Sequence, residues 1–213
     1  MTSAIPSLAS QFEPVRLARG QVREAGAMLV RAFWDDPLTR YLLPTPTQWE
    51  RVVPGFLTAC VRYGQLYGAV STTPGRVDGV AVWLPPDRIN LTFRRMLRAG
   101  LLGATLRLGM EGNRRLGNFV RYDEELRRGK LPDRFWYLFV LGVDPARQGS
   151  GIGTALMQPI IARADAEGLP CVLDTLTEAN VRFYEKRGFS VLSAGAIPAG
   201  GPPVWLMWRP PSP

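Results

Sequence analysis

Apolar and polar positions follow two different periods along this chain, and each change of period marks an element. Val15-Arg16-Leu17 alternates as a short strand after a Ser- and Pro-containing start. From 21 to 33 the apolar positions Val22, Ala25, Met28, Leu29 and Ala32 lie three and four apart, the spacing of one helix face. Trp34-Asp35-Asp36-Pro37 breaks that helix. A second helix is predicted over about 48–65, perturbed early by Pro54. The stretches 66–71 and 77–84 read as strands of a hairpin around Pro74-Gly75, stopped hard by Pro85-Pro86. Helical spacing returns over 89–126, but Gly100, Gly103, Gly109, Gly112 and Gly117 interrupt it, so two or more shorter helices are expected. A long apolar run at 135–143 is the expected central strand. After it come a turn, a glycine run and a helix that Pro159 should kink. A strand at 170–174, a helix at 178–187 and strands at 189–193 and 204–208 complete the pattern.

The glycine run carries the most chemistry. Gln148-Gly149-Ser150-Gly151-Ile152-Gly153-Thr154 joins the central strand to a helix. Glycines at a helix start leave successive N–H groups uncovered, and the helix dipole adds partial positive charge, so the turn favours a phosphate or pyrophosphate. A tight connection without a ligand would use the same residues. No Gly-Lys-Ser/Thr follows, and the glycine spacing differs from the dinucleotide fingerprint. About thirty residues on, a short helix carries Asn180 and Tyr184 four apart on one face and closes at Gly188-Phe189.

These two elements resemble the GCN5-related N-acetyltransferases, the GNAT family. Gln148, Gly151 and Gly153 match its Gln/Arg-x-x-Gly-x-Gly/Ala turn, and Asn180, Tyr184, Gly188 and Phe189 match its second motif. The likeness is specific from about 137 to 192. The strand Val80-Ala81-Val82-Trp83-Leu84, the insertion after it and the Gly-Gly-Pro-Pro-Val-Trp ending are similar to the puromycin-acetyltransferase-like branch. The resemblance implies an α/β (α+β) GNAT fold: a mixed, twisted sheet of six to seven strands flanked by helices, with a helical insertion at about 88–130 before the central strand. One GNAT domain over 1–213 is expected, with a disordered Pro-rich tail at about 210–213.

The resemblance also implies acetyl-CoA as co-substrate, a small-molecule primary amine as acceptor, direct transfer in a ternary complex, and no metal. Gln148, Gly149, Ser150, Gly151, Ile152, Gly153 and Thr154 would surround the pyrophosphate, with Asn180 contributing hydrogen bonds. Backbone groups of Leu141 and Val143, freed where their strand splays from its neighbour, would pair with pantetheine and polarise the thioester. Gly142 between them also suits a strand bulge. Tyr184 is the expected general acid, since a phenol can donate to a departing thiolate. Its alternative is a core ring beside Phe183, and that of Asn180 is helix capping.

The chain has no histidine, so a carboxylate must help deprotonate the amine unless the amine arrives neutral. Asp174 at a strand end and Asp35 or Asp36 at the first helix break are the candidates. Asp36 and Trp83 are expected at the acceptor, where Trp34, Tyr41 and Trp205 are further wall candidates. Two alternatives remain: a protein or peptide N-terminal acetyltransferase, and a non-catalytic acyl-CoA-binding domain.

Composition alters this picture little. At 213 residues and 46% hydrophobic content the chain suits one globular core, and no apolar run approaches the ~20 residues of a membrane span. A cytoplasmic protein is expected, without membrane or nucleic-acid partners. Cys60 and Cys171 form no ligand pattern and read as packed thiols. The net charge of +8 is concentrated at 88–130, where 11 Lys or Arg face 4 Asp or Glu. Such a segment suits a solvated helix face or attraction of CoA phosphates. The insertion and the C-terminal strand also offer surfaces for a homodimer.

Overall fold

In the computed structural model, which describes residues 12–212, a seven-stranded sheet is built in the order β1-β2-β3-β4-β5-β7-β6. The strands are β1 (Val15–Arg16), β2 (Ala69–Thr72), β3 (Gly79–Leu84), β4 (Trp136–Val143), β5 (Cys171–Thr175), β6 (Ser190–Ala196) and β7 (Pro203–Arg209). Only β4 and β5 pair in parallel; every other neighbouring pair is antiparallel. β7 lies between β5 and β6 because β6 and β7 form a hairpin whose second strand returns alongside β5.

Helices cover both faces. On one face α1 (Val22–Ala32) and α3 (Pro46–Tyr67) bury Met28, Leu29, Val53 and Leu57 against Val80, Val82 and Val140. On the other, α7 (Ile152–Ala166) sets Leu156, Met157 and Ile160 against Trp83, Trp136, Leu138 and Leu173. β3 is buried along its whole length, as a strand covered on both sides must be. The insertion forms α4 (Phe93–Ala99), α5 (Leu101–Leu106) and α6 (Gly109–Arg127), broken at Gly100 and Gly109, which both take left-handed φ. α6 packs with Leu126 over Val172, Val204 and Leu206 of β5 and β7.

The structure departs from the sequence reading in several places. α3 begins at Pro46 and runs through Pro54 to Tyr67, which shortens the predicted strand 66–71 to β2. The break at 34–37 is followed by an unpredicted helix, α2 (Pro37–Leu42), with Asp36 as its N-cap and Pro37 in its first turn. The tail is tied back as far as Ser212. Arg209 forks onto Asp165 at 2.6 and 2.9 Å, and the Ser212 N–H donates to the same carboxylate at 2.8 Å. Arg209 correspondingly holds the Asp165 carboxyl below its ordinary pKa.

A β-bulge sets the faces of β4. Val82 pairs with Val140 and Trp83 with Leu138, leaving Phe139 as the extra residue. Trp136, Leu138, Leu141 and Val143 therefore belong to the α7 side, whereas Phe139 and Val140 pack with α1 and α3. Gly142 is not the bulge, since it pairs in register with Val80. A Cβ at Gly142 would lie 2.5 Å from Leu29 and 3.1 Å from Phe33, so glycine is required by the close approach of α1. Gly142→Val is expected to destabilise by about 2 to 3 kcal/mol in chemical denaturation, despite the better strand propensity of valine. An unchanged midpoint would refute this packing argument.

Candidate active site

β4 and β5 pair only at Trp136↔Cys171 and Tyr137↔Val172. Beyond these the strands part, while β4 continues to Val143 on the β3 side. From Leu138 onward the edge of β4 facing β5 is thus without a ladder partner. A cavity of about 760 Å³ opens at the split. Its wall comes from four stretches: 31–37 at the end of α1, Leu141, Gly142 and Val143 of β4, the turn after β4, and α8 (Glu178–Glu185) with its flanks.

The turn is shaped by backbone conformation. Asp144 caps a 3-10 turn over Pro145–Arg147 by accepting from the Ala146 N–H at 3.1 Å. Gly149 and Gly151 then take φ of 78° and 85°, which strain any side chain, and Gly151 is the N-cap of α7. The N–H groups of residues 149–154 have no protein acceptor among the described residues. Gln148 ties the turn to β4 by donating to the Val143 carbonyl at 3.2 Å. Arg31 forks onto Asp144 at 2.6 and 3.0 Å, fixing α1 to the end of β4 and holding that carboxyl below its ordinary pKa.

Gln148, Gly149, Gly151, Ile152 and Gly153 line the cavity with Leu141 and Val143. Ser150 and Thr154 do not. The Ser150 hydroxyl donates to the Arg147 carbonyl at 2.5 Å, and the Thr154 hydroxyl accepts from Arg187 Nε at 2.8 Å. Gly153 is close-packed, since a Cβ there would meet Phe183 at 3.2 Å.

On α8, Thr177 is the N-cap, accepting from the Asn180 N–H at 3.2 Å. The Asn180 side chain is not used for capping and faces the cavity. Tyr184 also lines it while 8% exposed, its ring in edge contact with Phe183 and Phe189. Burial raises the pKa of its phenol, so the hydroxyl stays protonated.

Of the carboxylate candidates, Asp36 and Asp35 both line this cavity, and Asp36 is the less exposed of the two. It accepts from the Thr39 N–H at 2.9 Å, and burial raises its pKa while that bond and the Leu38 N–H hold it back. Asp35 lines the outer cavity and is paired with Arg40 at 3.2 Å in solvent. Trp34 forms part of the same wall in edge contact with Trp49.

Asp174 and Trp83 are placed elsewhere. Asp174 accepts from the Tyr137 hydroxyl at 2.7 Å and from Arg127, outside the cavity wall. Trp83 is fully buried in the core beneath α7, because β3 has no solvent-facing side, so it is not an acceptor residue. Tyr41 and Trp205 do not line the cavity either.

Three arginines of the wall, Arg31, Arg147 and Arg187, were not anticipated. Arg31 is matched by Asp144, and Arg147 lies 3.5 Å from Asp78. Arg187 is different. It lies 3.4 Å from the Phe183 ring centroid and bonds the Thr154 hydroxyl and the Phe183 carbonyl, with no carboxylate beside it among the described residues. The cavity therefore combines uncovered N–H groups, a cation with no carboxylate beside it among the described residues, an open strand edge, a buried phenol and a half-buried carboxylate.

Comparison with known proteins agrees with this geometry. Residues 116–189 match the profile of the Acetyltransferase (GNAT) family. An uncharacterised N-acetyltransferase of Schizosaccharomyces pombe is 30% identical over 180 residues, covering 82% of this chain and 72% of that protein. Mycothiol acetyltransferase of Streptosporangium roseum is 41% identical over 56 residues, but these are 25% of this chain and 17% of that protein. Among solved structures, the histone acetyltransferase HPA2 and related acetyltransferase from Corynebacterium glutamicum superposes with a TM-score of 0.65 at 20% identity, covering 95% and 97% of the two chains. Arylalkylamine N-acetyltransferase 2 of Aedes aegypti gives 0.62 at 13%, covering 95% and 100%.

Proposed function

Because the chain belongs to the GNAT family of acetyltransferases, we propose that it moves acetyl from acetyl-CoA directly to a primary amine of a small molecule, in a ternary complex. The observation carrying this reading is the split between β4 and β5, which opens onto a wall shared by the glycine turn, Tyr184 and Asp36. Bound acetyl-CoA supplies an activated acyl group. The free N–H groups of 149–154 and Arg187 hold its pyrophosphate, by helix-terminus charge and by direct charge pairing. The unpaired edge of β4 through Leu141 and Val143 receives pantetheine and directs an N–H at the thioester oxygen, where negative charge grows.

Asp36 takes a proton from the attacking nitrogen, whose protons become acidic as it gives its lone pair to the carbonyl carbon. Tyr184 donates to the departing sulfur. The Drosophila melanogaster neighbour at a TM-score of 0.59, a polyamine N-acetyltransferase that forms N-acetylagmatine, is in keeping with a small-molecule acceptor.

The test is acetyl-CoA-dependent thiol release against a panel of small primary amines, beside calorimetry with acetyl-CoA. Binding without thiol release for any amine would leave a non-catalytic binding domain and sink the proposal. Arg187→Met is expected to raise the Kd of acetyl-CoA about 10- to 100-fold, the worth of one charge-assisted contact. A short acetyl thioester lacking the pyrophosphate should be used equally well by both proteins. Equal loss on both substrates would move Arg187 out of the phosphate site.

A further inference from the structure

A second group of ionisable side chains sits at the root of the split. Tyr137 forms the last ladder pair between β4 and β5, and its hydroxyl reaches across to Asp174, two residues beyond on β5. Arg127 of α6 bonds the same Asp174 oxygen, and its Nε lies 2.8 Å from Asp123 Oδ2 without hydrogen-bond alignment. The Asp174 side chain is 4% exposed, those of Asp123 and Arg127 17%. Two carboxyl groups therefore share one guanidinium in a low-dielectric site. The remaining oxygens, Asp123 Oδ1 and Asp174 Oδ1, are both buried and, among the described residues, both without a partner. Their contacts to adjacent nitrogens of the one Arg127 guanidinium bring the two carboxyl groups side by side.

One proton resolves this arrangement. We propose that Asp123 and Asp174 share a proton, so that Asp123 is a neutral donor to Asp174 and the cluster acts as a positioning lock holding the insertion helix α6 across the β4/β5 split. With that proton the charges balance as Arg127⁺ and Asp174⁻, and both orphan oxygens are satisfied. Without it two carboxylates face each other, and α6 is pushed from β5. Burial, then the Asp174 charge, pushes the Asp123 carboxyl up to about 8, while Arg127 pulls it down. Among the described residues, the other groups packed around α6 do not supply a second cation to Asp123. Arg115 lies over the Tyr41 ring of α2, Lys130 is bonded to Ser193 of β6, and Val204 and Leu206 of β7 are apolar.

A carboxyl whose pKa is raised on folding contributes stability that is complete below its unfolded pKa and is lost as pH rises through the folded value. Wild type should thus lose thermal stability between about pH 4 and pH 8 through this group. Asp123→Asn keeps the donor and removes the titration. It should flatten that slope and exceed wild type by about 5 °C in Tm at pH 8. Asp174→Asn strips Arg127 of its counter-charge and should lower Tm at every pH. Trypsin cleavage within α6, compared between wild type and Asp123→Asn at each pH, should show a ratio rising about tenfold from pH 7 to 9. Should Asp174→Asn fail to fold, an infrared carboxylic-acid band at pH 7 in wild type, absent from Asp123→Asn, decides the matter. An Asp123→Asn variant with the wild-type slope, a constant cleavage ratio or a retained infrared band would overturn the proposal.

Discussion

Tyr184→Phe is expected to lower kcat for amine acetylation by about 10²- to 10³-fold, the span of a positioned general acid. The Kd of acetyl-CoA should stay within about twofold, since a neutral phenol outside the phosphate contacts adds little binding. The ring is held by Phe183 and Phe189 in edge contacts that phenylalanine preserves, so the fold loses no packing. Among the described residues the hydroxyl has no hydrogen-bond partner whose loss would destabilise the protein, and the residue lines the cavity. Its raised pKa keeps it protonated across the working pH range. A buried phenol that stays neutral has a proton to donate to a developing thiolate and holds no charge with which to accept one. The pH profile of wild type should accordingly show no alkaline loss from Tyr184 up to its ordinary value of ~10. Full activity in Tyr184→Phe would return the residue to the core and leave the departing sulfur to water.

What the sequence disclosed was local, and what it concealed was tertiary. The glycine turn and α8 were legible because their geometry is written within a few residues: left-handed glycines, a helix start, and Asn180 and Tyr184 one turn apart. The split was expected only through family resemblance, since nothing in 136–143 states where β5 stops pairing. The bulge at Phe139 depends on the register of β3, so the faces of β4 could not be counted from alternation, and Gly142 was given the wrong alternative. Trp83 was misplaced because β3 is covered on both sides and no position on it reaches the cavity. Asp174 was rightly seen at a strand end, but Arg127 lies 47 residues away on a helix whose docking site was not legible. Arg187 belonged to a readable motif, yet its importance lies in what it lacks, a carboxylate. One missed element had a local signal: Asp36-Pro37 is an N-cap followed by a first-turn proline, which starts a helix as well as ending one.

That same dipeptide supplies the second large effect. Asp36→Asn should lower kcat/KM for the amine by about 10²-fold at neutral pH, as expected for loss of a positioned base. Asparagine caps α2 as well as aspartate does, so the helix and its Thr39 contact survive and the loss is chemical. Stability separates the roles further. Burial raises the Asp36 pKa, so its contribution to folding is complete below the unfolded carboxyl value and is lost as pH rises through the folded one. The variant should therefore be as stable as wild type at neutral pH or slightly more so. Activity has the opposite sign, because the base works only when ionised. Wild-type kcat/KM must fall as pH drops through the raised Asp36 pKa, and that acid limb must vanish in the variant. A lysine-like amine, with pKa ~10.4, adds a separate rise toward alkaline pH that both proteins share. An acid limb that persists unchanged in Asp36→Asn would assign the base to another group, whereas its loss together with the residual alkaline rise would place proton removal at the start of α2.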